Sequence, residues 1–415
     1  MSFNIIFKVL KELYGRYNGI CPTSLVIIHL LLERLYAFII KLFCPVDESA
    51  IVFNSLPDFS DNARALAEYM ESNGYTMNYR IFFDVENSDH YNSRGGKIVF
   101  ITCKAKYGKY KLSSLHTLYT AKYLMSTHKM IINKRNAQKN QVLVRLWHGC
   151  SFKDRSSQDG KSLRPFDVAL VPGKLFVKTK AYFWNVEDKY ILPVGYPRYD
   201  WLKMKDENAQ KLINIFKLNK DTKILLWMPT FRIDKRGKCS ETNSLTQFPM
   251  MDSNEKWEMI DRLCVEHNII MIVKLHPLQT DYGISFESFS NIKIINDQIL
   301  DKVDIPLYKF VALTDALLSD YSSIAIDYLL VNRPMGFTLD DYEEYKNARG
   351  FLVDDPRVYM PGHHLYTFED MRLFFLDLAD GKDKYKEQRE HVRDKLIACS
   401  DNYCKSILDR LSIRK

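Results

Sequence analysis

Short apolar runs, each closed by a polar or glycine-bearing turn, recur along this chain, and helix-periodic stretches separate several of them. That alternation constrains the fold more than any other feature. Parallel strands need a crossover between them, and the crossover helices must cover both faces of the sheet. The first series of runs is Ala50 to Ser55, Asn78 to Phe83, Lys97 to Ile101, Tyr123 to Ser126, Val142 to Trp147 and Asp167 to Val171. Asp61 to Glu71 has helical periodicity and stops before Asn73-Gly74, a good helix terminator. A second series follows GYPRYDWL, Gly195 to Leu202: Lys223 to Met228, Ile269 to Leu275, Ile292 to Ile295, Asp315 to Ser319 and Pro334 to Thr338. The expected fold is α/β: two Rossmann-like doubly wound domains facing a crevice, with ligands bound beyond the carboxyl ends of the strands.

A chain of 415 residues is too long for one ordinary core, which agrees with two domains. The expected boundaries are 49–200 and 201–380, preceded by amphipathic membrane-associating helices over 1–48 and followed by a C-terminal helix in 381–415. That last helix reads as one charged stretch from Lys382 to Arg410, packing back across the two domains.

The excess of 59 Lys and Arg over 51 Asp and Glu is modest and dispersed, without the long basic runs of a nucleic-acid binder. It suits phosphorylated substrates or an anionic membrane surface. Eight scattered cysteines form no CxxC pair and no Cys/His zinc spacing, so they read as free thiols in a reducing compartment. There is also no Asp-x-Asp triplet to clamp a metal–diphosphate. The expectation is chemistry that uses no metal and no cofactor, relying on helix ends and basic side chains.

At the amino end, Asn4, Lys8, Lys11, Glu12 and Arg16 share one helical face opposite an apolar one. Leu25 to Phe43 is a second apolar segment, long enough to span a bilayer, but Glu33 and Arg34 sit near its middle. Each would cost roughly 2.5–3.5 kcal/mol at the bilayer centre. The reading is a monotopic anchor, peripheral on the cytoplasmic face, with Lys8, Lys11, Arg16 and Lys41 toward anionic headgroups.

Reactive side chains cluster at strand ends. His148 follows a buried-looking strand and precedes Gly149; its ordinary pKa near neutrality suits a general base, and a turn-bonding histidine is the plainer alternative. Thr230 and Arg232 close the strand ending in LLWMPTFR, where the Arg232 fork could clamp phosphate oxygens. His276 follows the next apolar strand, with Lys274 alongside. In DALLSDYSSIAIDYLLVNRP, Asp315 to Pro334, a strand feeds a helix through Asp320-Tyr321-Ser322-Ser323, with Asp327 nearby. Its hydroxyl and carboxylate side chains would cap that helix, whose amino end attracts anions. Arg349 in RGFLVDD and Gly362 in MPGHH complete the set.

In this order and at these intervals, WHG with the following Lys153, GYPRYD, PTFR, KLHP, DYSS…D…RP, RGF and PG resemble the CDP-glycerol glycerophosphotransferase family, the teichoic acid primases and polymerases. The likeness runs from about Leu143 to Gly362 and more loosely back to Ala50. It implies a GT-B fold, interfacial membrane attachment, and metal-independent transfer of glycerol phosphate from CDP-glycerol with release of CMP. By that resemblance His148 looks like the base and His276 like a diphosphate-contacting histidine. Arg232, Ser322 and Ser323 look like donor-binding residues, and Thr230 and Asp320 are counted with them as donor- or phosphate-binding. Gly149, Lys153, Asp327, Arg349 and Gly362 would support the site.

The resemblance places the acceptor, a lipid-linked glycan or polymer, on residues 49–200 and the CDP-polyol on 201–380. CDP-ribitol is the alternative donor, a GT-B glycosyltransferase of capsule or surface polysaccharide synthesis the alternative enzyme, and a homo-oligomer is left open. Two departures from the family pattern stand out: Cys150-Ser151-Phe152 where the family often has Thr-Pro-Leu, and His363 where it often has proline.

Overall fold

The structure is a computed structural model, and it describes residues 20–105, 109–110, 112–132, 134–153, 166–203, 209–216, 218–219, 221–230, 248–274 and 285–415. Packing divides these residues into two compact units. One runs to Leu146, with 166–168 and 414–415; the other begins at Trp147 and takes in Ala169 to Ile413.

The first unit opens with helix α1 (Ile20–Phe43). Its strands are β1 (Asp47–Asn54), β2 (Arg80–Asp84), β3 (Val99–Ile101), the small antiparallel pair β4 (Lys104–Ala105) and β5 (Lys109–Tyr110), β6 (Ala121–Ser126) and β7 (Val142–Arg145). Strands β3-β2-β1-β6-β7 lie side by side, all parallel. Ile51, Val52 and Phe53 of central β1 are fully buried, a continuous apolar run of the kind that two covered faces require. Helix α2 (Asp61–Ser72) buries Leu66, Ala67 and Met70, and α3 (Leu112–Thr120) buries Leu115 and Leu118.

Helix α1 packs on α3 through Ala37 and Ile40. Its outer side leaves Leu31, Leu32, Leu35, Phe38, Ile39, Leu42 and Phe43 exposed. The half-buried Lys41 has its ammonium 5.4 Å from the centre of the Tyr119 ring, a cation–π contact within the unit. Lys8, Lys11 and Arg16 lie outside the described residues. Among the described residues no helix is long and apolar enough to cross a membrane.

In the second unit β8 (Val168–Val171) pairs in parallel with β9 (Ile191–Pro193), and α4 (Leu175–Trp184) connects them. The main sheet is formed by β10 (Lys223–Trp227), β11 (Ile269–Lys274), β12 (Ile292–Ile295), β13 (Ala316–Ser319), β14 (Met335–Thr338) and β15 (His363–Leu365). Its order is β12-β11-β10-β13-β14-β15, all parallel, so the order reverses beside β10 and β13. Trp227 and Trp257 lie 5.7 Å apart at the centre of its core, and Phe286 meets Trp257 edge-on at 5.0 Å.

The expected single helix from Lys382 to Arg410 is two, α5 (Lys386–Leu396) and α6 (Tyr403–Arg410). Ile397 turns extended, and the Ala398 amide donates to the Pro172 carbonyl at 2.8 Å, which ends the first helix. The second starts on Asp200, whose two carboxylate oxygens accept the Tyr403 and Cys404 amides at 2.7 and 2.8 Å. These contacts help draw residues 169–203 into the second unit, so packing divides the chain earlier than position 200.

Candidate functional site

Strands β10 and β13 are neighbours, and their carboxyl ends carry Thr230 and Asp320. The fully buried Asp320 carboxylate accepts from the Thr230 amide at 2.8 Å and from its hydroxyl at 2.5 Å. Two loops are thereby tied at the point where the sheet order reverses, the usual ligand position in such sheets. Lys153 brings a cation to the same place, its Nζ donating to Thr230 Oγ1 at 3.2 Å. Its backbone is held by an isolated bridge to Phe351 of the RGF segment, and Leu352 donates to the Phe152 carbonyl at 2.7 Å.

Beyond Asp320 the chain makes the Tyr321-Ser322-Ser323 turn and a single helical turn, Ile324–Asp327, that tightens into a 3-10 turn, Tyr328–Leu330. The expected serine cap is absent: Ser323 makes no side-chain capping bond. Its backbone (φ −63°, ψ −22°) is already helical, whereas a capping residue sits extended. Both serine side chains are half-buried. A small cavity of about 20 Å³ adjoins Ser322, lined on the polar side by Lys153, Asp320 and Ser322 and on the other by aromatic rings such as Phe152, Phe351 and Tyr359.

The half-buried His148 stands on a strained corner. Trp147 sits at φ +59°, a left-handed conformation that a bulky aromatic rarely adopts, and Gly149 at φ +137°. The Trp147 ring is fixed edge-on to Trp184 of α4 at 5.0 Å. Gly149 passes so close to Ser323 that a Cβ there would be 2.5 Å from its Oγ. A glycine is therefore required, and the histidine turn and the serine turn touch.

A fully buried group anchors both turns. Asp327 Oδ2 accepts from Arg198 Nη2 at 2.6 Å and from the Tyr308 hydroxyl, while Oδ1 accepts from the Tyr199 hydroxyl at 2.5 Å. Burial pushes the Asp327 carboxyl up, against the opposing pull of Arg198 and the two tyrosines. Nη1 of Arg198 donates to the His148 carbonyl at 3.1 Å. Burial also raises the Cys150 thiol, which sits 3.1 Å from the Tyr196 hydroxyl, so this departure from the family pattern places an inert thiol beside the histidine.

Of the residues expected from sequence, His148, Gly149, Lys153, Thr230, Asp320, Ser322, Ser323 and Asp327 converge in this one unit. Arg349 closes the helix Tyr342–Ala348 just before Phe351. Gly362 serves the sheet: a Cβ there would be 2.3 Å from the Met335 carbonyl oxygen. Arg232 and His276 lie outside the described residues. Arg198, Tyr199 and Tyr308 were not singled out from sequence, although GYPRYD contains the first two.

Parallel sheets with polar side chains gathered at their carboxyl ends define an α/β protein of the GT-B-like kind. A solved structure of the wall teichoic acid polymerase TagF shares that fold, with a TM-score of 0.68 and 20% identity over 97% of this chain and 98% of that one. The family model of the CDP-glycerol:poly(glycerophosphate) glycerophosphotransferases matches residues 36–410, and the chain belongs to that family. Among its relatives, a teichoic acid poly(glycerol phosphate) polymerase of Bacillus spizizenii is 26% identical over 379 residues, 82% of this chain and 86% of the relative. A teichoic acid poly(ribitol-phosphate) polymerase of the same organism is 26% identical over 339 residues, 68% of this chain but only 51% of the relative.

Proposed function

We propose that the protein transfers glycerol phosphate from CDP-glycerol to a hydroxyl of a lipid-linked or polymeric acceptor, releasing CMP, in the synthesis of teichoic acid or a related surface polymer. The observation that carries this reading is the contact between the His148 turn and the serine turn, in a chain that belongs to the glycerophosphotransferase family. The acceptor oxygen attacks the phosphorus bearing the glycerol, in line with the bond to CMP. A new phosphorus–oxygen bond forms, the bond to CMP breaks with its electron pair, and His148 takes the acceptor's proton. Ser322, Ser323, Thr230 and Lys153 hold the diphosphate as charge moves onto the leaving CMP, and Asp320 holds Thr230 in place. Arg232 and His276 are assigned to the same diphosphate from the family resemblance alone. Residues 49–200 are assigned the acceptor and 201–380 the nucleotide, except that the His148 turn packs with the latter.

The exposed apolar side of α1 supports peripheral attachment to an anionic membrane on its cytoplasmic face, where a lipid-linked acceptor would be presented. The ribitol-phosphate relative makes CDP-ribitol the second donor to test. Purified protein, an acceptor and each CDP-polyol are incubated, CMP is quantified and the product is weighed by mass spectrometry. CMP and glycerol-phosphate additions from CDP-glycerol are expected, and His148→Ala should lower turnover by about 10²–10⁴. Near-normal turnover of that variant would refute the base assignment. Turnover of a nucleotide sugar and of neither CDP-polyol would refute the activity.

A further inference from the structure

We infer that Arg198 is the positioning residue of this site: its guanidinium fixes the His148 turn against the Ser322-Ser323 turn, with Asp327 as the anchor. The inference rests on the reading of His148 as the base.

The geometry is that of a fork with its two tines in different segments. Nη1 donates to the carbonyl oxygen of His148 itself, 3.1 Å away and fifty positions earlier in the chain. Nη2 donates at 2.6 Å to Asp327, which ends the single helical turn that begins immediately after Ser323. The fork cannot drift. Its central carbon lies 4.0 Å from the centre of the Tyr308 ring, and both Arg198 and Asp327 are buried. Asp327 is pinned in turn by the Tyr199 and Tyr308 hydroxyls. A buried ion pair is poor evidence for stability, because desolvation offsets much of the attraction. What this pair adds is geometry: one planar group sets how far the histidine backbone stands from the serine backbone. A lysine could neutralise Asp327, but a single ammonium lacks the fork needed to hold both acceptors.

The test is a double-mutant cycle on the full chain with Arg198→Lys, His148→Ala and the combination. Melting temperature, CDP-glycerol affinity by calorimetry, kcat, KM and the pH profile of kcat are measured for each. Arg198→Lys is expected to fold and to bind CDP-glycerol as the unaltered protein does. Its kcat should fall by roughly 100-fold, as a displaced catalytic group does, with KM unchanged and the acidic limb of the pH profile retained. In the His148→Ala background the lysine should cost nothing further, because Arg198 acts through His148. Independent, multiplying losses would overturn the inference, as would unchanged kcat or a loss confined to donor affinity. If Arg198→Lys fails to fold, Asp327→Asn replaces it, keeping hydrogen-bonding capacity toward both tyrosines, and the same non-additivity is required. A fully active His148→Ala refutes the base assignment; an impaired His148→Ala with independent losses refutes only the role of Arg198.

Discussion

Ser323 Oγ occupies the space that a side chain on Gly149 would need: a Cβ there would stand 2.5 Å from that oxygen and 2.9 Å from Ser323 Cβ. The contact joins the turn that carries the histidine to the turn that carries the serines, and it makes the separation of the two turns sensitive to one methyl group.

Gly149→Ala is therefore expected to act on catalysis before it acts on folding. The alanine must push the turns apart, and φ +137° adds backbone strain of about 1–3 kcal/mol. CMP release should drop by roughly 100-fold. A melting curve shifted by only a few degrees, on the scale of that strain in a chain this size, should accompany the loss. An active Gly149→Ala would show that the turns need not touch.

Asp320→Ala should loosen the ends of β10 and β13. The Thr230 amide and hydroxyl both donate to Asp320, and leaving such buried donors unsatisfied costs about 1–3 kcal/mol. Urea unfolding should report that loss, while calorimetry reports weaker binding of CDP-glycerol. Asp320→Asn, which still offers an acceptor, should lose less of both.

His363 gives the chain a pH dependence with a definite sign. Burial lowers its pKa below the usual 6.5, against the pull of Asp377 and Asp383 and with help from Lys384 and His364. The unfolded chain thus takes up a proton more readily than the folded one. Its stabilising contribution is fully present above pH 6.5 and is lost as pH falls through the lower folded value. The urea midpoint should fall between pH 7.5 and 5.5, and His363→Gln should flatten that slope. An equally steep slope in the variant would place the dependence elsewhere.

Leu35, Phe38 and Leu42 follow one another along the exposed side of α1. Replacing all three with Glu should abolish co-sedimentation with vesicles containing anionic lipid and leave the melting temperature almost unchanged, since none of them is in the core. Retained vesicle binding would move the attachment away from this face.

Most of the sheet was legible because buried parallel strands are apolar along their length. Ile269 to Lys274 and Ile292 to Ile295 carry that signal in so few residues that little else fits. Strands β9 and β15 were missed because each has only three residues and includes a proline or two histidines. The break in the final helix contains neither glycine nor proline. Its local sign is the polar cluster Ser400-Asp401-Asn402, in which Ser400 Oγ accepts the Asn402 amide at 3.2 Å and the Asn402 side chain accepts the Lys405 amide at 2.7 Å.

At the site, Thr230, Asp320, Ser322 and Ser323 were legible as polar groups at strand ends, but the two hydrogen bonds that tie Thr230 to Asp320 across ninety positions were not. Arg198 was illegible for a different reason. An arginine in a Gly/Pro-rich turn reads as a surface residue, and the carboxylate that draws it inside comes 129 positions later.

GYPRYD sends three consecutive side chains to three destinations: Arg198 to the histidine carbonyl, Tyr199 to Asp327, and Asp200 to the first amides of α6. The carboxyl-terminal helix and the His148 turn are thus seated on a single hexapeptide. Deleting the chain from Tyr403, or prying that helix loose with a bulky fusion, would unseat Asp200 two residues from the arginine that donates to the His148 carbonyl. Because Tyr403, Ile407, Leu408 and Ile413 are also core residues, damage at the far end of the polypeptide would reach the histidine turn together with the packing of its unit.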